Sequence, residues 1–254
     1  MPKIGLKLWS TNIEYILAAQ ELFAQNVFDY IELYIVPGTY DAHVKTWRNL
    51  NIPFLIHCTH TIHGFNLAIK EKFENNLRIF AEVKAFCDAL DGKFIIFHPG
   101  IKGSLEDSIQ QINALNDKRL LVENKPYISM SGRICRGSMY EELHQIITSC
   151  NVGFCLDIAH VINAAFHLKI DYLNYLERML TLDPQVIHIS DGEIKEKHDR
   201  HLNIGHGGFD FRRIAKIIAL SNTRYLTLET DRSGDTLDDF IEDTKKMKGM
   251  MQNE

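Results

Sequence analysis

Between Val186 and Phe211 the chain reads VIHISDGEIKEKHDRHLNIGHGGFDF: an apolar run ending in His188, then a charged stretch leading to an Asp-x-His pair, Asp199 and His201. Asp191, His198 and His206 lie in the same segment. Imidazole nitrogens and carboxylate oxygens at such short spacing are the donor set of divalent-cation sites. Ions held this way acidify water and steady developing negative charge, which is the chemistry of hydrolysis. The ending recurs. Apolar runs are followed by Glu32, by His57 and His60, by His98, by Glu123, by Asp157 and His160, and by Glu229. Any one such histidine is as easily an ordinary hydrogen-bonded residue. So many ionisable groups at the ends of apolar runs are not what a soluble core contains.

The runs that must position them are Ile4–Trp9, Tyr30–Ile35, Phe54–Cys58, Phe94–Phe97, Leu120–Glu123, Val152–Asp157, Val186–Ile189 and Tyr225–Glu229. Most are too short for core helices, and several are rich in Ile, Val, Phe and Tyr, as buried parallel strands should be. Amphipathic segments alternate with them; Ile13–Ala24, Phe73–Leu90, Phe211–Leu220 and Leu237–Met247 carry apolar residues at helical spacing. Strand and helix in alternation impose a parallel sheet with right-handed crossovers. Eight units in about 250 residues have the size of a closed (β/α)8 barrel. An open doubly wound sheet is the rival, but no glycine fingerprint follows the first strand. No linker or repeat divides the chain, so residues 1–254 are expected to form one barrel domain. In such a barrel the C-terminal ends of the strands converge on one mouth, which would gather the scattered groups into one site.

Bulk composition is compatible. At 254 residues, with 45% hydrophobic and 24% charged residues, the chain can bury a large core without disulfides. Cys58, Cys87, Cys135, Cys150 and Cys155 form no CxxC pair and read as reduced, buried thiols of a cytoplasmic protein. MPKIGLKLW lacks the apolar core of a secretion signal, and no apolar run reaches the roughly 20 residues that cross a bilayer. Net charge is −5. That disfavours a protein holding nucleic acid by a basic surface alone, although bound cations would reverse the local sign. A monomer is expected.

FHPG at Phe97–Gly100, GFCLDIAHVINAA at Gly153–Ala165 and HDRHLNIGHG at His198–Gly207 resemble the signature blocks of endonuclease IV, the zinc-dependent apurinic/apyrimidinic endonucleases. These sit within the wider xylose-isomerase-like barrels. The resemblance spans strand one to strand eight. It implies up to three zinc ions, with manganese or iron as substitutes. His98, Glu123 and the strand-three histidine would hold one ion, with His57 preferred and His60 the alternative. Glu123 would bridge to a second ion bound by Asp157, His188 and Glu229. His160, Asp199 and His201 would hold the third. Glu123 and Glu229 are the expected catalytic carboxylates. The implied reaction is hydrolysis of the phosphodiester 5′ to an abasic deoxyribose, giving a 3′-hydroxyl and a 5′-deoxyribose phosphate.

The chain departs from that pattern where DNA would be held. Strand two runs into ELYIVPGTY, and Glu32 at a barrel mouth would repel phosphates. NKPYISMSGRICRGSM follows in place of an Asn-Thr-Ala-Gly run, with Lys125, Arg133 and Arg136 as phosphate contacts or a solvated face. The alternative is a sugar isomerase or epimerase with one metal at Glu123, Asp157, His188 and Glu229, in which Glu32 would touch a polyol. A barrel with structural metals, or none, acting as a binding protein is a third reading. His98, His160, Asp199 and His201 together exceed what one ion requires and favour the phosphodiesterase. Trp9 is expected at the mouth and Trp47 in packing; His63, Phe65 and Tyr127 are candidate stacking groups, and His206 a candidate substrate contact. His43, His144 and His167 read as ordinary surface residues.

Overall fold

Alternate residues of each apolar run enter two different buried environments, and this alternation builds the molecule. The strands are β1 Lys3–Trp9, β2 Tyr30–Tyr34, β3 Phe54–His57, β4 Ile95–Phe97, β5 Leu120–Glu123, β6 Gly153–Asp157, β7 Val186–Ile189 and β8 Tyr225–Leu228. They pair in parallel and in chain order, and β8 closes onto β1, with Leu6 opposite Leu228. The computed structural model describes residues 1–196, 198–232 and 236–252. The expected closed (β/α)8 barrel is what the chain forms.

Because side chains alternate across a strand, each run contributes one row outward and one inward. Ile4, Leu6 and Leu8 of β1, Ile31 and Leu33 of β2 and their counterparts face the helices in the large outer core, with Trp47 and Phe86. The inward row begins apolar. Tyr30, Leu55, Ile96, Leu121, Cys155 and Val186 pack together, with Phe94 and Tyr225 against them, and stopper the barrel near its N-terminal end. Gly5 belongs to this row, since a Cβ there would run into the Tyr30 ring. Two positions further along each strand, or just past its end for β4, the same row turns polar: Lys7, Glu32, His57, His98, Glu123, Asp157, His188 and Thr227.

The helices are α1 Ile16–Ala24, α2 Tyr40–Arg48, α3 Phe73–Ala89, α4 Leu105–Leu115, α5 Tyr140–Cys150, α6 Ile158–Leu168, α7 Tyr172–Leu180, α8 Phe211–Leu220 and α9 Asp238–Gln252. Ile13–Tyr15, expected in the first helix, forms a tighter 3-10 turn ahead of α1. Two helices, α6 and α7, separate β6 from β7. Side-chain caps fix several starts: Ser104, Asp157, Asp171 and Asp210 each accept a backbone N–H three residues on. Glu82 of α3 takes the N–H groups of Gly38, Thr39 and Tyr40 ahead of α2. All five cysteines are free, and Cys150 is half-buried where full burial was expected. Among the described residues no helix is long and apolar enough to cross a membrane.

Candidate metal centre

The outer members of the polar inward row and the loops just beyond it meet at the C-terminal mouth. Glu123, the last residue of β5, stands at the centre. Its Oε2 lies 2.9 Å from His57 Nε2 and 3.6 Å from His188 Nδ1, and its Oε1 lies 3.1 Å from His98 Nε2 and 3.4 Å from His160 Nδ1. His188 Nδ1 is 2.9 Å from Glu229 Oε2. On the far side Asp199 Oδ2 is 3.2 Å from His160 Nε2 and 3.0 Å from His201 Nε2. Every expected ligand is therefore in the cluster. Among the described residues the donor atoms fall into sets that one ion could share: His57, His60 and His98; Glu123, Asp157, His188 and Glu229; and His160, Asp199 and His201.

Local structure explains the placement. Asp157 ends β6 and caps α6, its Oδ1 accepting the His160 N–H at 2.7 Å, so one turn of helix brings His160 beside it. Asn124 braces the same corner, donating to the Asp157 carbonyl at 2.8 Å and accepting the Asp157 N–H at 2.7 Å. The loop carrying Asp199 and His201 is pinned by Asp191, whose carboxylate accepts the N–H groups of Gly192, Gly205, Gly207 and Phe209. Buried Asp243 of α9 grips it from outside through Asn203 and Ile204. Gly207 allows this approach, because a Cβ there would meet Gly192 backbone and the Asp191 carboxylate.

The electrostatics divide the cluster: His60 and His98 are held low, while against burial the surrounding carboxylates raise His160, His188 and His201. Burial, with His98 and His57 nearby, holds His60 well below the usual imidazole range. Burial and Lys125 beside it bring His98 down to about 3, against the pull of Glu123. Both rings are therefore neutral near pH 7 and offer lone pairs. Burial pushes Asp157 up to about 6; Asp199, Glu123 and Glu229 add to the rise and His160 opposes it. Burial alone would lower His201, but Asp199 and the other carboxylates raise it well above normal. His60 Nε2, His98 Nε2, His188 Nδ1 and Glu229 Oε2 are buried and make no hydrogen bond. Unsatisfied donors and acceptors of this kind are costly unless something binds them, and neutral imidazoles beside carboxylates are what zinc takes. The residues fit the ions.

A family model described as xylose isomerase-like TIM barrel matches residues 19–250. The chain belongs to that family. Within it, the chain is 29% identical over 216 residues to the probable endonuclease 4 of Alkaliphilus oremlandii (strain OhILAs), covering 79% of this chain and 76% of the relative. It is 26% identical over 198 residues to that of Mycoplasmopsis pulmonis (strain UAB CTIP), 70% of each chain. Endonuclease IV from Thermus thermophilus superposes over 100% of both chains with a TM-score of 0.74 at 19% identity. A D-tagatose 3-epimerase-like protein superposes over 98% of this chain and 97% of that one, with a TM-score of 0.72 at 16% identity. At these identities the superpositions establish the barrel common to the family.

Some of the singled-out residues lie elsewhere than the sequence implied. Glu32 does not reach the mouth: it is the third of five residues in β2, fully buried, and bonded to Lys7, His188 and Thr227. Its carboxylate is close enough to His57 and His188 for the three to share an ion, the alternative ligand role the sequence allowed it. His60 joins the ligand set, whereas His206 stands exposed in its turn and belongs to none of the sets among the described residues. Phe65 is core, and Trp47 is packed with its Nε1 donating to the Ser10 carbonyl. Trp9, 43% exposed, does reach the mouth and leans on Tyr34 and His63. Arg136 is bound to Glu142 and the Gly103 carbonyl, while Lys125 Nζ lies 3.2 Å from His98 Nδ1. Lys7 was missed altogether; the signal was a lysine in the inward row of an apolar strand.

Proposed function

We propose that the protein is a metal-dependent phosphodiesterase that cleaves DNA on the 5′ side of abasic sites, acting as a cytoplasmic monomer with up to three zinc ions. One ion is assigned to His60, His98 and Glu123, a second to Glu123, Asp157, His188 and Glu229, and a third to His160, Asp199 and His201. His60 is preferred to His57 because its Nε2 is buried without a hydrogen-bond partner and its ring stacks on His98. Bound ions would acidify a water and stabilise the leaving oxygen. Glu123 presents one oxygen toward each half of the cluster, so neighbouring sites can share it. Trp9, exposed and leaning on the buried Tyr34, offers an aromatic wall where a deoxyribose without its base can pack. Lys125 brings a positive charge to the phosphate side of the rim.

The observation that carries this reading is the third set. His160, Asp199 and His201 form a set additional to the four groups sufficient for one ion, and a mononuclear sugar enzyme has no need of them. The complete set Glu123, Asp157, His188 and Glu229 is what favours the isomerase or epimerase as a second reading. Metal content of protein purified without chelator, together with nicking of a duplex bearing one abasic analogue, tests the choice. Close to three equivalents with nicking at the lesion is expected. One equivalent and no cleavage by the loaded protein would transfer the assignment to sugar chemistry.

A further inference from the structure

Below the ligand layer lies a second polar layer for which the ion sites alone give no reason. We propose that Glu32 is a positioning residue that sets the tautomer and ring orientation of His188, with Lys7 and Thr227 fixing Glu32 in turn. The inference rests on the reading that the cluster above it binds ions.

Glu32 is fully buried and accepts three hydrogen bonds: from Lys7 Nζ at 2.6 Å on Oε1, and from Thr227 Oγ1 at 2.6 Å and His188 Nε2 at 2.8 Å on Oε2. Lysine can only donate. Thr227 has one hydroxyl hydrogen and gives it to Glu32, so Tyr30, 2.8 Å away, donates to Thr227. Every group around Glu32 is thus a donor, and the carboxylate has only acceptors to offer. His188 must then carry its hydrogen on Nε2. That leaves Nδ1 as the nitrogen with a lone pair for a metal, and Nδ1 is the atom that faces Glu229 Oε2 and Glu123 Oε2. A carboxylate behind a ligating imidazole fixes tautomer and orientation in this way. Lys7 Nζ also lies 3.4 Å from Glu229 Oε1, so it steadies a second ligand of the same site.

The other use of these residues would be a fourth ion at Glu32, His57 and His188, whose donor atoms are close enough to share one. Lys7 excludes it. Its buried ammonium already occupies the cationic position against Glu32, and a divalent ion there would be pressed against it. The layer supports the site and does not bind.

Glu32→Gln tests this on the full chain. An amide cannot accept from Lys7, Thr227 and His188 together. Zinc titration against a chromophoric chelator should show one equivalent weakened about 10–100-fold, the others unchanged, and the imidazole nitrogen shifts of His188 moved away from the Nε2–H pattern. Thr227→Val, which removes one donor and no charge, should produce a smaller change in the same equivalent. Melting of the ion-free variants separates this from misfolding. A lower melting temperature with all zinc affinities and nitrogen shifts as in wild type would make Glu32 an ordinary core ion pair and overturn the proposal. Wild-type protein that binds no zinc would remove both this inference and the metallohydrolase reading. Fully loaded wild type that leaves abasic DNA intact, with Glu32→Gln weakening one ion, would overturn only the substrate and support the positioning role.

Discussion

Asp191→Asn bears on the loop that delivers Asp199 and His201. The carboxylate of Asp191 serves four backbone donors: Oδ2 takes Gly205 at 2.8 Å and Gly207 at 2.9 Å, and Oδ1 takes Gly192 at 2.8 Å and Phe209 at 3.3 Å. An asparagine oxygen can keep one pair, while its amide turns hydrogens toward the other. Hydrogen bonds to a charged acceptor contribute about 1.5–3 kcal/mol each, and the Oδ1 pair includes one long bond, so the loss should be about 3 kcal/mol. For a domain of this size that is a fall of about 6–12 °C in melting temperature. If the loop opens locally instead, binding of the third ion must supply the closing energy, and about 3 kcal/mol weakens it by roughly 100-fold. Thermal melting of ion-free protein and zinc competition distinguish the two routes, and Gly207→Ala should behave alike. A variant that melts with wild type and holds every zinc as tightly would refute the idea that Asp191 organises this loop.

Three further outcomes are expected. His201→Ala should retain the ions of the other two sets and fold normally, yet lose nicking by about 100-fold or more, as when a group stabilising the transition state is removed; full nicking with one ion fewer would assign the third set a structural role. Trp9→Ala should raise KM for abasic duplex about tenfold with little change in kcat; an unchanged KM would take the aromatic wall out of substrate binding. Asp117 is held at about 2 chiefly by the hydrogen bonds of Arg119, which reach it at 2.9 and 2.6 Å. Because its folded value lies below the unfolded value of about 3.9, its contribution is present above about pH 4 and fades as pH falls through about 2. Denaturant unfolding of wild type and Asp117→Asn should therefore converge at low pH, and a constant difference from about pH 6 to about pH 2 would count against it.

The barrel was legible because parallel strands buried on both faces leave short runs of apolar residues with abrupt polar ends. Val186–Ile189 and Leu120–Glu123 have the bounds their patterns predict, and Phe94 and Val152 sit one residue outside their strands. The cluster was legible for the same reason: His188, Glu123 and Asp157 end or nearly end their strands. Glu32 was misjudged because a strand's end, not its presence, fixes depth. It lies two residues before the end of β2, about 7 Å deeper at roughly 3.3–3.4 Å per residue. Lys7 went unseen because lysine usually reads as solvent-facing, and only its pairing with Glu32 across β1 and β2, where the two are registered partners, explains it. His57 was preferred because it ends its apolar run, whereas the spacing to Asn66-Leu67 pointed to His60, and the two signals could not be weighed until the turn after β3 was built. The loop around Asp191 was invisible for a different reason: it is held by backbone donors, which leave no signature in side-chain type.

The apolar stopper of Tyr30, Leu55, Ile96, Leu121, Cys155 and Val186 closes the floor beneath the cluster, so that among the described residues the cluster faces the C-terminal mouth. On the proposed function, substrate, attacking water and product would all share that mouth. Turnover would then run as a queue, in which product has to vacate before another substrate molecule is admitted, and product should compete directly with substrate.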